Sequence, residues 1–101
     1  MSTKENIVMD EKVEITITPP KMYKVVFLND DSTPMELVID ILQSVFKHQF
    51  SDAQKITLEI HNSGSGIAGV YPLELAETFS IEATHIARKN GSPLKIQVEQ
   101  E

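Results

Sequence analysis

The sequence contains no cysteine and no tryptophan, and only 6% of its 101 residues are aromatic. Without thiols there is no disulfide scaffold, no Cys-ligated zinc or iron–sulfur site and no thiol nucleophile. The missing cysteines also fit a cytoplasmic location. Positive charge is scarce: nine Lys and Arg face fifteen Asp and Glu, a formal net charge of −6. That balance opposes counterion-release binding to nucleic acid. No apolar run approaches the ~18 residues of a membrane span, and the start of the chain has neither the basic nor the apolar region of a signal peptide. The expected protein is soluble, not exported, and without a nucleic-acid or membrane partner. Its length fits one small domain.

Residues 1–18 read as a flexible N-terminal extension, polar at first and then alternating over Val13-Glu14-Ile15-Thr16-Ile17 as a short strand would, before Pro19-Pro20 stops pairing. The core domain is expected over residues 19–101. Met22 to Leu28 is β-branched and aromatic and reads as a buried strand that ends in the polar turn Asn29-Asp30-Asp31. Thr33-Pro34-Met35-Glu36 then predicts a helix start, with the Thr33 hydroxyl as cap, Pro34 at the first helical position and Glu36 closing a capping box. Met35, Val38, Ile39, Leu42, Val45 and Phe46 form its inward stripe. Ser51-Asp52-Ala53-Gln54 repeats the capping logic for a second helix, with Ala53, Ile56, Thr57 and Ile60 facing inward and an end near Asn62. Gly64 and Gly66 read as a turn. A short strand over Ile67–Tyr71, a helix from Pro72 to Lys89 and a last strand alternating through Leu94, Ile96 and Val98 complete the chain. The fold class is α+β, in the order strand-helix-helix-strand-helix-strand: a three-stranded antiparallel sheet with three helices packed on one face.

Catalytic and metal motifs are thin. Three histidines lack the H-E-x-x-H or H-x₃₋₅-H spacing of a zinc site, and no nucleophile elbow or Walker loop is present. His48 and His85 read as helix-surface residues. His61 falls on the inward side of the second helix near its C-terminus, where a dipole-stabilised histidine is the plain interpretation. Asn29-Asp30-Asp31 is on its own an ordinary Asx-rich turn before a helix. Together, however, Asn29, Asp31 and His61 offer an amide oxygen, a carboxylate and a neutral imidazole nitrogen, the acceptors an ammonium group wants. Apolar Met35, Val38, Ile60 and Leu94 beside them would hold a hydrophobic group two bonds from that amine. A peptide N-terminus has this chemistry, and amine capture is an established recognition mode.

These residues resemble the ClpS family, bacterial adaptors that deliver N-degron substrates to an AAA+ unfoldase and its peptidase. The match runs through Pro20, Met22-Tyr23-Lys24-Val25, Leu28-Asn29-Asp30-Asp31, Thr33-Pro34-Met35-Glu36 with Val38, Ile60-His61, Gly69-Val70-Tyr71 and Ala76-Glu77-Thr78, and covers the chain from about Pro19 to Val98. The resemblance implies binding of a substrate's α-ammonium by Asn29, Asp31 and His61, with Asp30 in support. It implies a pocket for a first residue Leu, Phe, Tyr or Trp lined by Thr33, Met35, Val38, Thr57, Ile60 and Leu94, with Met35 as gatekeeper against β-branched residues. It further implies no cofactor, no catalysis, and docking on the N-terminal domain of a ClpA-like or ClpC-like unfoldase through Glu74 and the surface around Phe79. The extension over residues 1–18 would be engaged by the unfoldase at handover.

Two positions depart from the family pattern. Thr57 stands where Met is common and should widen or wet one pocket wall. Phe79 stands where Lys is frequent, and its spacing with Leu75, Ala76, Ala83 and Ile86 would equally place it in the core. Two other functional classes stay open at this level: an enzyme using His61 and Asp31 as an acid–base pair, and a plain protein-interaction domain with the same layer architecture.

Overall fold

The β-branched and aromatic run Met22–Leu28 forms strand β1, the centre of the sheet. In the computed structural model, which describes residues 17–101, it is followed by α1 (Met35–Ser44), α2 (Phe50–Ser63), β2 (Ser65–Pro72), α3 (Leu73–Lys89) and β3 (Lys95–Gln100). The extension expected over residues 1–18, with its short strand, lies outside the described residues except for its last two. Both β2 and β3 pair antiparallel to β1, in the order β2-β1-β3. The α+β architecture and the element order are those the sequence predicts.

Because strand side chains alternate, Val25 and Phe27 share one face of β1. Both are fully buried and join Ile41 and Leu42 of α1, Ala53 and Ile60 of α2, and Ala76, Ala83 and Ala87 of α3 in one core. Small alanines on α3 let that helix lie close to the sheet. Ile41 is inside although the predicted stripe omits it, and Val45 and Phe46 are buried just beyond the end of α1. Among the described residues, no helix is long and apolar enough to cross a membrane.

The expected helix starts are each displaced by a residue or so. Pro34, not Thr33, is the N-cap of α1, its backbone is extended, and no side chain caps the helix. The Thr33 hydroxyl donates instead to the Asp30 carboxylate at 2.7 Å, a charge-assisted bond that outcompetes the neutral capping bond. Likewise Gln49 precedes α2, and Ala53 N–H donates to the Gln49 carbonyl at 2.9 Å, so Ser51 and Asp52 sit inside the first turn. There Asp52 complements the positive helix end.

His48 is also not a helix-surface residue. It lies between α1 and α2, and its Nε2 bonds the carbonyl of Ala68. That carbonyl belongs to a bulge: Val25 pairs with Gly69 and Val26 with Ile67, which leaves Ala68 as the extra residue in β2. A carbonyl displaced from the ladder needs a partner, and His48 supplies it.

Candidate functional site

Three segments meet at one end of the sheet: the turn leaving β1, the C-terminal half of α2 and the residues entering β3. Together they enclose a cavity of about 180 Å³ lined by Leu28, Asn29, Asp30, Asp31, Thr33, Met35, Val38, Thr57, Ile60, His61 and Leu94. All ten residues expected from the sequence to bind amine or side chain are in this lining. Leu28 is the one it adds, at the strand end next to Asn29.

One backbone hydrogen bond underlies the convergence. α2 ends at Gly64, whose φ of +91° is the left-handed conformation only glycine adopts without strain. The Gly64 carbonyl accepts the Asn29 N–H at 2.9 Å. That bond ties the last turn of α2, which carries His61, to the turn that carries Asn29 and Asp31. The spacing Gly64-Ser65-Gly66-Ile67-Ala68-Gly69 is formally G-x-G-x-x-G, but it leads from a helix into an antiparallel strand. A phosphate cradle needs the reverse, a strand running into a helix N-terminus.

The cavity is divided in polarity. Val38, Thr57, Ile60 and Leu94 are each at least 95% buried and form its depth. Asn29, Asp31 and His61 are exposed at its mouth, and Met35, 40% exposed, also lines it. No lysine or arginine lines it. An engineered apolar cavity of about 150 Å³ accommodates benzene, so the space suits one bulky hydrophobic side chain.

Asp30 is bonded within its own loop. Its Oδ1 accepts the backbone N–H groups of Ser32 and Thr33, both at 2.9 Å, and the Ser32 hydroxyl at 3.0 Å, while Oδ2 accepts the Thr33 hydroxyl. Burial pushes its carboxyl up, but these bonds from Thr33 and Ser32 together outweigh it and hold the group below the ordinary aspartate value. With both oxygens so engaged, Asp30 orders the loop that presents Asn29 and Asp31.

Two further expectations need correction. Thr57 does not wet the wall with a free hydroxyl proton, because Oγ1 donates that proton to the Ala53 carbonyl at 2.7 Å, one turn back. Phe79 turns its ring inward, stacking edge-on against Tyr71 (centroids 4.9 Å) and Phe46 (5.7 Å). Glu74, in the first turn of α3, is exposed. The same aromatic cluster buries the Tyr71 ring and pushes its phenol pKa up.

Comparison with known proteins places the chain in a family. The family model described as "ATP-dependent Clp protease adaptor protein ClpS" matches residues 18–97. The ATP-dependent Clp protease adapter protein ClpS of Shewanella pealeana is 46% identical over 101 residues, covering 99% of each chain. That of Clostridium acetobutylicum is 50% identical over 92 residues, 91% of this chain and 87% of its own. Among solved structures, Agrobacterium tumefaciens ClpS2 bound to L-phenylalaninamide superposes with a TM-score of 0.79 at 37% identity, covering 82% of this chain and all of that one. A match over essentially the whole described domain, with an acceptor-rich mouth over an apolar cavity, leads to one conclusion: the chain belongs to the ClpS family of Clp protease adaptors.

Proposed function

We propose that this protein is an N-degron adaptor. It binds the free N-terminal amine and bulky hydrophobic first residue of a substrate and presents that substrate to a Clp AAA+ unfoldase, without catalysis of its own. The observation that carries the reading is the cleft's division into an acceptor-lined mouth and a largely apolar depth about one side chain in size.

The Asp31 carboxylate, the Asn29 amide oxygen and neutral His61 accept the three N–H bonds of an α-ammonium. The side chain enters past Met35 to meet Val38, Thr57, Ile60 and Leu94, with Thr33 at the wall. An internal residue has no ammonium to offer, and an acetylated one leaves Asp31 without its counter-charge. An apolar pocket alone separates side chains by only about 1–3 kcal/mol per methylene, so the amine supplies the stronger filter. ClpS2 of Agrobacterium tumefaciens, bound to phenylalaninamide, supports the assignment, since that ligand joins a free α-amine to a benzyl group.

Exposed Glu74 is the residue we carry over to docking on a ClpA-like or ClpC-like N-terminal domain, and residues 1–18 are the segment engaged at handover. Fluorescence anisotropy with a free-amine Phe peptide and its acetylated twin tests the reading. The free peptide is expected to bind and the acetylated one to lose at least tenfold in affinity. Equal binding would sink the proposal.

A further inference from the structure

The turn after α3 carries a hydrogen-bond chain that links the two halves of the cleft. Helix α3 is capped by Asn90, and Gly91 follows at φ +75°. Gly91 N–H donates to the Arg88 carbonyl at 3.0 Å and Ser92 N–H to the Ala87 carbonyl at 2.9 Å, the paired bonds of a Schellman turn. This sharp reversal brings Ser92 against Thr33, a residue 59 positions earlier in the chain.

Ser92 is 4% exposed, and a buried hydroxyl requires partners. Leu94 N–H donates to Ser92 Oγ at 3.0 Å, and Ser92 Oγ lies 2.6 Å from Thr33 Oγ1. The direction of the second bond follows from the inventory of protons. Thr33 gives its only hydroxyl proton to Asp30 Oδ2, and an ionised carboxylate only accepts. Ser92 therefore donates to Thr33. The protons run one way, from Leu94 through Ser92 and Thr33 to Asp30, each donor polarising the next and the chain ending on a charge. On the other side, Arg88 Nη1 donates to the carbonyls of both Ser92 and Leu94 at 2.8 Å.

We infer that Ser92 is a positioning residue for first-residue recognition: it holds the amine-presenting loop at Asp30 in register with the side-chain wall at Leu94, and Arg88 holds Ser92 in turn. This inference rests on the adaptor reading of the cleft. Ser92 touches no ligand in that reading, since it is not part of the cavity lining. It acts through Thr33 and Leu94, both of which are.

The test is a double-mutant cycle on affinity for a free-amine Phe peptide, with Ser92→Ala, Thr33→Val and the double variant measured well below their melting temperatures. Each single substitution is expected to weaken binding roughly tenfold, the worth of a net hydrogen bond. The double variant should bind no worse than the weaker single, and Ser92→Thr should restore affinity. Effects that multiply in the double variant, or full affinity in Ser92→Ala, overturn the inference. Arg88→Met, at an exposed position, supplies a second arm should Ser92→Ala not fold: a smaller loss of affinity is expected, and none overturns it. Wild-type protein that ignores acetylation overturns the adaptor reading itself, an outcome separate from any of these.

Discussion

Gly66 offers a way to disturb the side-chain pocket without substituting any residue of its lining. A Cβ built there lies 2.7 Å from Ile60 Cγ1 and 3.4 Å from the Ile56 carbonyl oxygen. Carbon atoms rest at about 3.5–4.0 Å, so Gly66→Ala demands a displacement of about 0.8 Å. Ile60 cannot take this up cheaply. It is β-branched and helical, which leaves one strongly preferred χ1, and it is 3% exposed with the cavity on one side. The space open to it is the pocket. We expect an overpacking loss of stability of about 1–3 kcal/mol and a narrower pocket, felt most by the largest first residue.

Gly64→Ala is the matched control. Its Cβ meets nothing within 4 Å, and only its φ of +91° resists substitution, at about 1–2 kcal/mol. Denaturant unfolding combined with anisotropy titrations of Trp, Phe and Leu peptides separates the two. Both variants lose stability by similar amounts, but in Gly66→Ala alone the Trp-to-Leu affinity ratio falls, by about tenfold if the displacement matters as much as one methylene. A ratio unchanged from wild type in Gly66→Ala would refute the reasoning.

Leu94→Ala and Met35→Ala remove neighbouring pocket walls with different consequences: Leu94, 1% exposed, should cost about 2–5 kcal/mol in denaturant unfolding, and Met35, 40% exposed, less than about 1 kcal/mol while relaxing the exclusion of β-branched first residues. Asp30 makes stability pH-dependent in a defined direction. Its folded carboxyl titrates below the ordinary value of about 4, so its contribution is fully present above that value and is lost as pH falls toward the folded one; acid titration of wild type should be steeper there than that of Asp30→Asn. Deleting residues 1–18 should leave peptide affinity intact and abolish delivery in a reconstituted unfoldase–peptidase assay; loss of peptide binding as well would contradict the separation of core and extension.

Much of this protein is legible one residue at a time. Strand β1, the helix stripes and the Gly64 and Gly91 terminations are local: they depend on side-chain periodicity and on φ angles that glycine alone adopts freely. The proposed amine acceptors are legible as a set of chemistries too, because an amide oxygen, a carboxylate and an imidazole nitrogen at Asn29, Asp31 and His61 are what an ammonium pairs with. That they do meet is a tertiary fact. It depends on the Asn29 N–H reaching the Gly64 carbonyl across 35 positions of sequence.

Not every error shares that origin. Thr33 reads as a helix cap because capping is the best local use of its hydroxyl, yet folding brings Ser92 beside it and Asp30 offers a charge, so the hydroxyl joins that chain instead. Thr57 reads as a polar wall, and what corrects it is local, since its own helix takes the proton one turn back; Phe79, for which the spacing leaves docking surface and core both open, is turned inward by Phe46 and Tyr71. Periodicity and turn chemistry by themselves determined the α+β class and the element order. Only the tertiary structure decided which polar groups remain free for a ligand, because a hydrogen bond is claimed by whichever partner the fold brings within 3 Å, and sequence distance says nothing of that.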